Sequence, residues 1–197
     1  MQRWIPLLLL AGSLSACLSI NSNKPQSGPQ TFDFGISAPS AEGIATRTRI
    51  ANVQSGDALN TRRIRYRLAY QNAQEVAYYA DSRWTAPPAE LLTQQLRNRQ
   101  APAATSNGCV LTLSLQSFDH VFDNSTSSRG LVQINASLQQ LRSHQTIASR
   151  AFQSSSPATS NDAAGGVAAL SKASQGLLDE ILTWAESQAA SACTAAP

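Results

Sequence analysis

The sequence predicts one α/β domain, and three observations predict it. Apolar and polar residues alternate in several short runs, the period of a half-buried strand. Two segments switch to helical spacing, one around Leu91–Leu96 and one from Val167 to Trp184. No internal repeat and no second long apolar segment divides the chain. The expected order is several strands, a helix, three strands and a helix.

Residues 1–16 read as a secretory signal. Arg3 precedes the apolar run Ile5-Pro6-Leu7-Leu8-Leu9-Leu10, and small residues follow. That run is well short of the ~20 residues needed to cross a bilayer. Its ending, Leu14-Ser15-Ala16-Cys17, resembles the lipobox of bacterial lipoproteins, in which the cysteine is lipidated and becomes the new N-terminus. Cys17 is therefore the expected lipidation site. Each buried methylene contributes ~0.8 kcal/mol, so several acyl chains anchor durably where one does not. Leu18, in place of an Asp, favours the outer membrane by resemblance to sorted lipoproteins. Residues 17–30 are polar and broken by Pro and Gly, a tether reaching on the order of 40 Å when extended.

Removal of residues 1–16 from the 197 leaves 181, enough for one domain with a core. Lys and Arg number 15 against 12 Asp and Glu, a net charge of +3 that the loss of Arg3 reduces. Such a balance does not suggest nucleic acid as a partner. Cys109 and Cys193 remain after Cys17. In an oxidising compartment an even pair invites a disulfide, which in the loop-entropy model contributes roughly 4–5 kcal/mol.

Along the mature chain, Phe32, Phe34 and Ile36 alternate with polar residues as a first short strand. Residues 44–53 form a second, followed by turn chemistry at Ser55-Gly56-Asp57. In residues 62–70, Ile64, Tyr66, Leu68 and Tyr70 share one face and Arg63, Arg65 and Arg67 the other. A turn at 71–74 and a return over 75–80 complete a β-hairpin. Thr85 is the expected cap of a helix running to about Arg99, with Pro87 and Pro88 in its first turn. Cys109, Leu111, Leu113 and Leu115 mark the next strand. Its apolar phase then shifts to Phe118, His120 and Phe122, which predicts a bulge near 116–117. Strands at 132–138 and 147–152 follow. A polar loop over 153–162 then ends in a helix cap, before a long amphipathic helix that Gly176 weakly interrupts.

With these residues in place, the chain resembles the ABC-type transport auxiliary lipoproteins (the PqiC-like group). The likeness runs from the aromatic strand Phe32–Ile36 through the hairpin face Ile64, Tyr66 and Leu68. Its most specific stretch is Val76-Ala77-Tyr78-Tyr79, Arg83-Trp84, Pro87-Pro88 and the leucines 91, 92 and 96. The resemblance implies a three-layer α/β fold with a mixed sheet, similar to anticodon-binding-like domains and the N-terminal domain of TolB. It also implies partners: an ABC permease, an ATPase and an MCE-domain protein that together move phospholipid between membranes. The resemblance further implies that the lipoprotein docks the MCE protein at the outer membrane, as a homo-oligomeric ring. The basic run Arg63, Arg65, Arg67 departs from what that strand implies.

The sequence assigns no catalytic residue, cofactor or metal. His120 has Asp119 beside it, but chain neighbours on a strand point to opposite faces. No Gly-x-Ser-x-Gly elbow, ligand-spaced cluster or Walker motif is present. His120 reads as structural, Trp84 as a packing anchor and Trp184 as core. The sharpest surface feature is Arg63/Arg65/Arg67. Their guanidiniums suit phospholipid headgroups or acidic groups of a partner, because Arg binds phosphate and carboxylate in a fork. A solvated, edge-protecting face is the plainer reading. Two functions follow: a non-enzymatic transport component that docks a partner, or a scaffold or regulator of envelope assembly.

Overall fold

The structure, a computed structural model, describes residues 28–36, 48–100 and 108–193. The elements are β1 (Gln30–Phe32), β2 (Arg49–Ser55), β3 (Arg63–Leu68), α1 (Ala69–Asn72), β4 (Ala77–Trp84), α2 (Pro88–Arg99), β5 (Cys109–Phe122), β6 (Ser128–Gln140), β7 (Thr146–Pro157) and α3 (Ala163–Ala192). One mixed sheet of seven strands runs β1-β4-β3-β5-β6-β7, with β2 also on β5. β2 and β3 lie parallel to successive halves of β5, and β3–β4 and β5–β6–β7 are antiparallel.

The hairpin and the bulge follow the sequence. β3 pairs antiparallel with β4, and the β5–β6 register slips between Leu115 and Ser117. That slip keeps Leu115 and Phe118 on one face. Several boundaries differ, each for a local reason. The first strand spans Gln30–Phe32 rather than 32–36, because Asp33 Oδ1 accepts the Gly35 N–H at 2.7 Å and Gly35 takes φ +77°. Ile36 is consequently exposed, while Phe34 turns inward against Trp84 and Phe118. Tyr70 leaves the sheet in the short helical turn α1. Thr85 does not cap α2. Its N–H donates to Phe32 O, extending the β1–β4 contact, and the cap is Pro87. Residues 153–157 are strand, not loop. Their serines pair along β6, and Gln133 Nε2 donates to Gln153 Oε1. Asp162 caps α3 as expected, accepting the Gly165 N–H at 2.8 Å, and Gly176 does not interrupt the helix.

Both long helices cover the same sheet face. Leu111, Leu113, Leu115, Val132, Ile134 and Leu138 meet Leu92 and Leu96 of α2 and Leu170, Leu177 and Ile181 of α3 in one core. Arg99 of α2 pairs with Asp179 of α3 at 2.9 Å, tying the helices side by side. The mixed α/β class is as expected, but the helical layering is not. Among the described residues the opposite face carries no long helix. Thr112, Ser114, Asn135 and Ser137 occupy it, and such side chains hydrate rather than pack. Trp84 is buried in the core, whereas Trp184 is only half-buried, edge-on to Phe152.

Gly130 fixes how closely α3 lies on β6. A Cβ there would stand 2.5 Å from the Leu170 backbone nitrogen and 2.6 Å from the Ala169 carbonyl carbon. Gly130→Ala is expected to cost about 1–3 kcal/mol, the range for overpacking. Chemical denaturation measures it; an unchanged midpoint would contradict so close a contact.

Candidate functional site

The arginines of β3 project from the face opposite α2 and α3, and β5 supplies their counterion. Tyr66 pairs with His120 and Arg67 with Val121, so the odd-numbered arginines share a face with Asp119. Asp119 is fully buried. Arg65 Nε lies 2.9 Å from Asp119 Oδ1, off the line of a good hydrogen bond, and Arg67 Nε lies 3.4 Å from Oδ2. The Ser117 hydroxyl also donates to Oδ2. Arg67 Nη1 donates to the carbonyls of Ala73 and Gln74, holding the turn after α1. Arg63 is exposed, its guanidinium carbon 3.7 Å from the Tyr78 ring centroid. The three cations thus differ in kind. Arg65 is buried against a carboxylate, Arg67 is partly engaged and Arg63 is open to solvent.

Two further arginines join this surface. Arg83 of β4 lies directly opposite Arg63, and Arg129 of β6 opposite Val121. Arg83 is exposed; Arg129 pairs with Asp123 at 3.1 Å. Sequence reading of one strand could not find them, because only strand register brings them beside β3. Asp119 had one legible signal: across the bulge it takes the phase opposite to the apolar run.

On the covered face, His120 lies under the first turn of α3, where a Cβ on Gly166 would strike its ring. Its Nδ1 is 2.7 Å from the Tyr79 hydroxyl. Burial, with the Asp162 and Tyr66 charges adding, raises the Tyr79 pKa, so that hydroxyl keeps its proton, and the His120 tautomer sets which of the two donates. Nε2 is buried without a hydrogen-bond partner. Burial lowers the His120 pKa from 6.5 to about 4, against a small opposing effect of Asp162. The unfolded chain then binds the proton more readily than the fold. Stability conferred by neutral His120 is whole above pH 6.5 and is lost as pH falls toward 4. At ~1.4 kcal/mol per unit, the loss is on the order of 3 kcal/mol. Urea unfolding from pH 7 to pH 4 should show it, and His120→Gln should flatten that part of the curve. Equal slopes in both proteins would contradict it. The arrangement is that of a packed histidine.

Cys17, the signal segment and most of the tether lie outside the described residues. Cys109, opening β5, and Cys193, closing α3, are joined in a disulfide with Cα atoms 5.7 Å apart. On the face opposite α2 and α3 a shallow groove of about 390 Å³ runs between Thr112, Ser114, Asn135, Ser137 and Ser149. Leu113, Ala136 and Ala151 also line it, so its walls are mixed. Among the described residues no group of His, Cys, Asp and Glu is placed to hold a metal, and no helix is long and apolar enough to cross a membrane.

A family model described as the ABC-type transport auxiliary lipoprotein component matches residues 35–182. No curated protein matches the sequence. Among solved structures, a DUF330 protein from Xanthomonas campestris is similar at 19% identity and a TM-score of 0.65, over 83% of this chain and 95% of that one. An uncharacterized protein is similar at 13% identity and a TM-score of 0.58, over 81% and 98%. These likenesses show the fold. A PelC dodecamer from Paraburkholderia phytofirmans reaches a TM-score of 0.36 at 10% identity over 76% and 96%, too distant to carry an argument.

Proposed function

The chain belongs to the ABC-type transport auxiliary lipoprotein family, and from that membership we propose that it is the non-enzymatic outer-membrane component of an ABC/MCE-type system moving phospholipid between the inner and outer membranes. The observation that carries the reading is the family match across 35–182, which spans most of the folded domain. The lipobox ending at Cys17 supports the anchor, and Leu18 supports the outer membrane. In this reading lipidated Cys17 holds the protein at the membrane while residues 18–29 give it reach. The folded domain docks the periplasmic MCE protein, and the permease and ATPase supply the energy.

The groove over β5, β6 and β7, at the other end of β5 from the β3 arginines, is shallow and open, which supports docking over carriage. It offers Ser, Thr and Asn side chains to a protein partner. Affinity purification of the lipidated full-length chain from cross-linked cells tests this. Recovery of an MCE-domain protein with its permease and ATPase is the expected result. Recovery of a cell-wall synthase with no MCE-domain protein would replace docking by scaffolding or regulation.

A further inference from the structure

We propose that the arginine-bearing face of β3 and β4 rests on an anionic phospholipid surface and so sets which side of the domain faces the membrane. This rests on the reading of Cys17 as the lipid anchor.

Three observations carry it. The first is a local conflict. Arg63 and Arg83 stand directly opposite each other across antiparallel strands, and both are exposed. Like charges so placed repel and destabilise the pair. Tyr78 takes up part of the Arg63 charge, but Arg83 has no ion pair among the described residues. A local rule broken without internal compensation marks a site whose compensation comes from outside. Here the missing group is an anion.

The second is the charge of the surface around that pair. Arg63, Arg65, Arg67, Arg83 and Arg129 share the face, against Asp119 and Asp123. With the exposed Asp81 of β4 counted beside Asp119 and Asp123, five cations against three acids leave a local excess of +2. Asp119 is buried, so it orients Arg65 and Arg67 without presenting negative charge to solvent.

The third is where the tether enters. Gln30, the first residue of β1, pairs with Ser82, and Thr31 pairs with Arg83. The chain coming from Cys17 therefore joins the sheet one strand away from Arg83 and two from Arg63. Anchoring confines this edge to within the reach of the tether, on the order of 40 Å, and at the headgroups anionic lipid attracts each surface Lys or Arg by roughly fivefold in binding. An acidic protein would satisfy the same arginines, but nothing ties such a partner to the edge where the tether arrives.

The test uses the full-length lipidated protein in vesicles of phosphatidylcholine alone or mixed with phosphatidylglycerol. Spin labels at Gln133→Cys on the arginine face and Gln175→Cys on the outer side of α3 report proximity to a headgroup-bound paramagnetic ion. On phosphatidylglycerol vesicles the Gln133 label should relax faster than the Gln175 label. Arg83→Glu should abolish the contrast, since a swing of two charges is worth about 25-fold. The same variant should keep or raise thermal stability, because it turns a like-charged pair into an opposite one, and this separates lost orientation from misfolding. Equal relaxation of the two labels on anionic vesicles would overturn the proposal. So would a contrast that survives Arg83→Glu. Equal labels together with an acidic protein that Arg83→Glu releases would assign the face to that protein instead. The anchor is read separately: failure to float with phosphatidylcholine vesicles would count against lipidation at Cys17, not against this surface.

Discussion

Asp119→Ala is expected to destabilise the domain by about 3–5 kcal/mol, the range for removing one partner of a buried ion pair. Asp119 is fully buried, and the Arg65 side chain is 10% exposed. Without the carboxylate, Arg65 stays buried with its charge uncompensated, Arg67 loses its ion partner and the Ser117 hydroxyl loses its acceptor. A single domain is stable by only about 5–15 kcal/mol, so the loss approaches unfolding. The cost lies in the unpaired charge rather than in a strong bond. Asp119→Leu combined with Arg65→Met should therefore recover much of the stability lost by either change alone, as apolar replacements of buried pairs do. Denaturant unfolding of the two single variants and the double one measures the coupling. Additive losses would show that Asp119 and Arg65 do not act as a pair.

Loss of the disulfide is expected to have a comparable effect. Cys109 and Cys193 are 84 residues apart, so the bond closes a long loop in the unfolded chain. It also fixes the last turn of α3 to the first residue of β5, and both sulfurs are buried. Cys109→Ser with Cys193→Ser should lower stability by about 2–5 kcal/mol. Within the fold the damage should concentrate at the C-terminal turns of α3. Thermal unfolding with and without reductant gives the total, and amide exchange along α3 gives its distribution. A melting temperature indifferent to reductant would contradict a stabilising role.

Much of the fold was legible because its signals are local. The alternation from Cys109 to Leu115 and the phase change at Phe118 specify a strand with one bulge, and the register slips there. The Val167–Trp184 spacing specifies α3, and Asp162 announces its start. What stayed illegible depends on partners distant in sequence. The serines of 153–157 resemble a loop in composition, yet β6 offers a ladder and they join it. Thr85 has the chemistry of a cap, but α2 begins at Pro88, which leaves Thr85 two residues before the cap position. The layering follows from side chains such as Asn135 and Ser137, whose polarity is plain but whose shared face needs the register. The same limit applied to the site. Arg63, Arg65 and Arg67 look equivalent in sequence. Only the position of Asp119 divides them into a buried, a half-engaged and a free cation, and only pairing adds Arg83 and Arg129.

The role of the protein is tested most directly by phospholipid traffic in cells. Isotope-labelled phospholipid is followed between inner and outer membranes in cells lacking the gene, then in cells given back the wild-type chain or Cys17→Ala. If the chain is an anchored component of an intermembrane lipid transport system, exchange slows without it. The wild-type chain restores the rate, and Cys17→Ala does not. Exchange that proceeds at the same rate in all these cells would contradict that role.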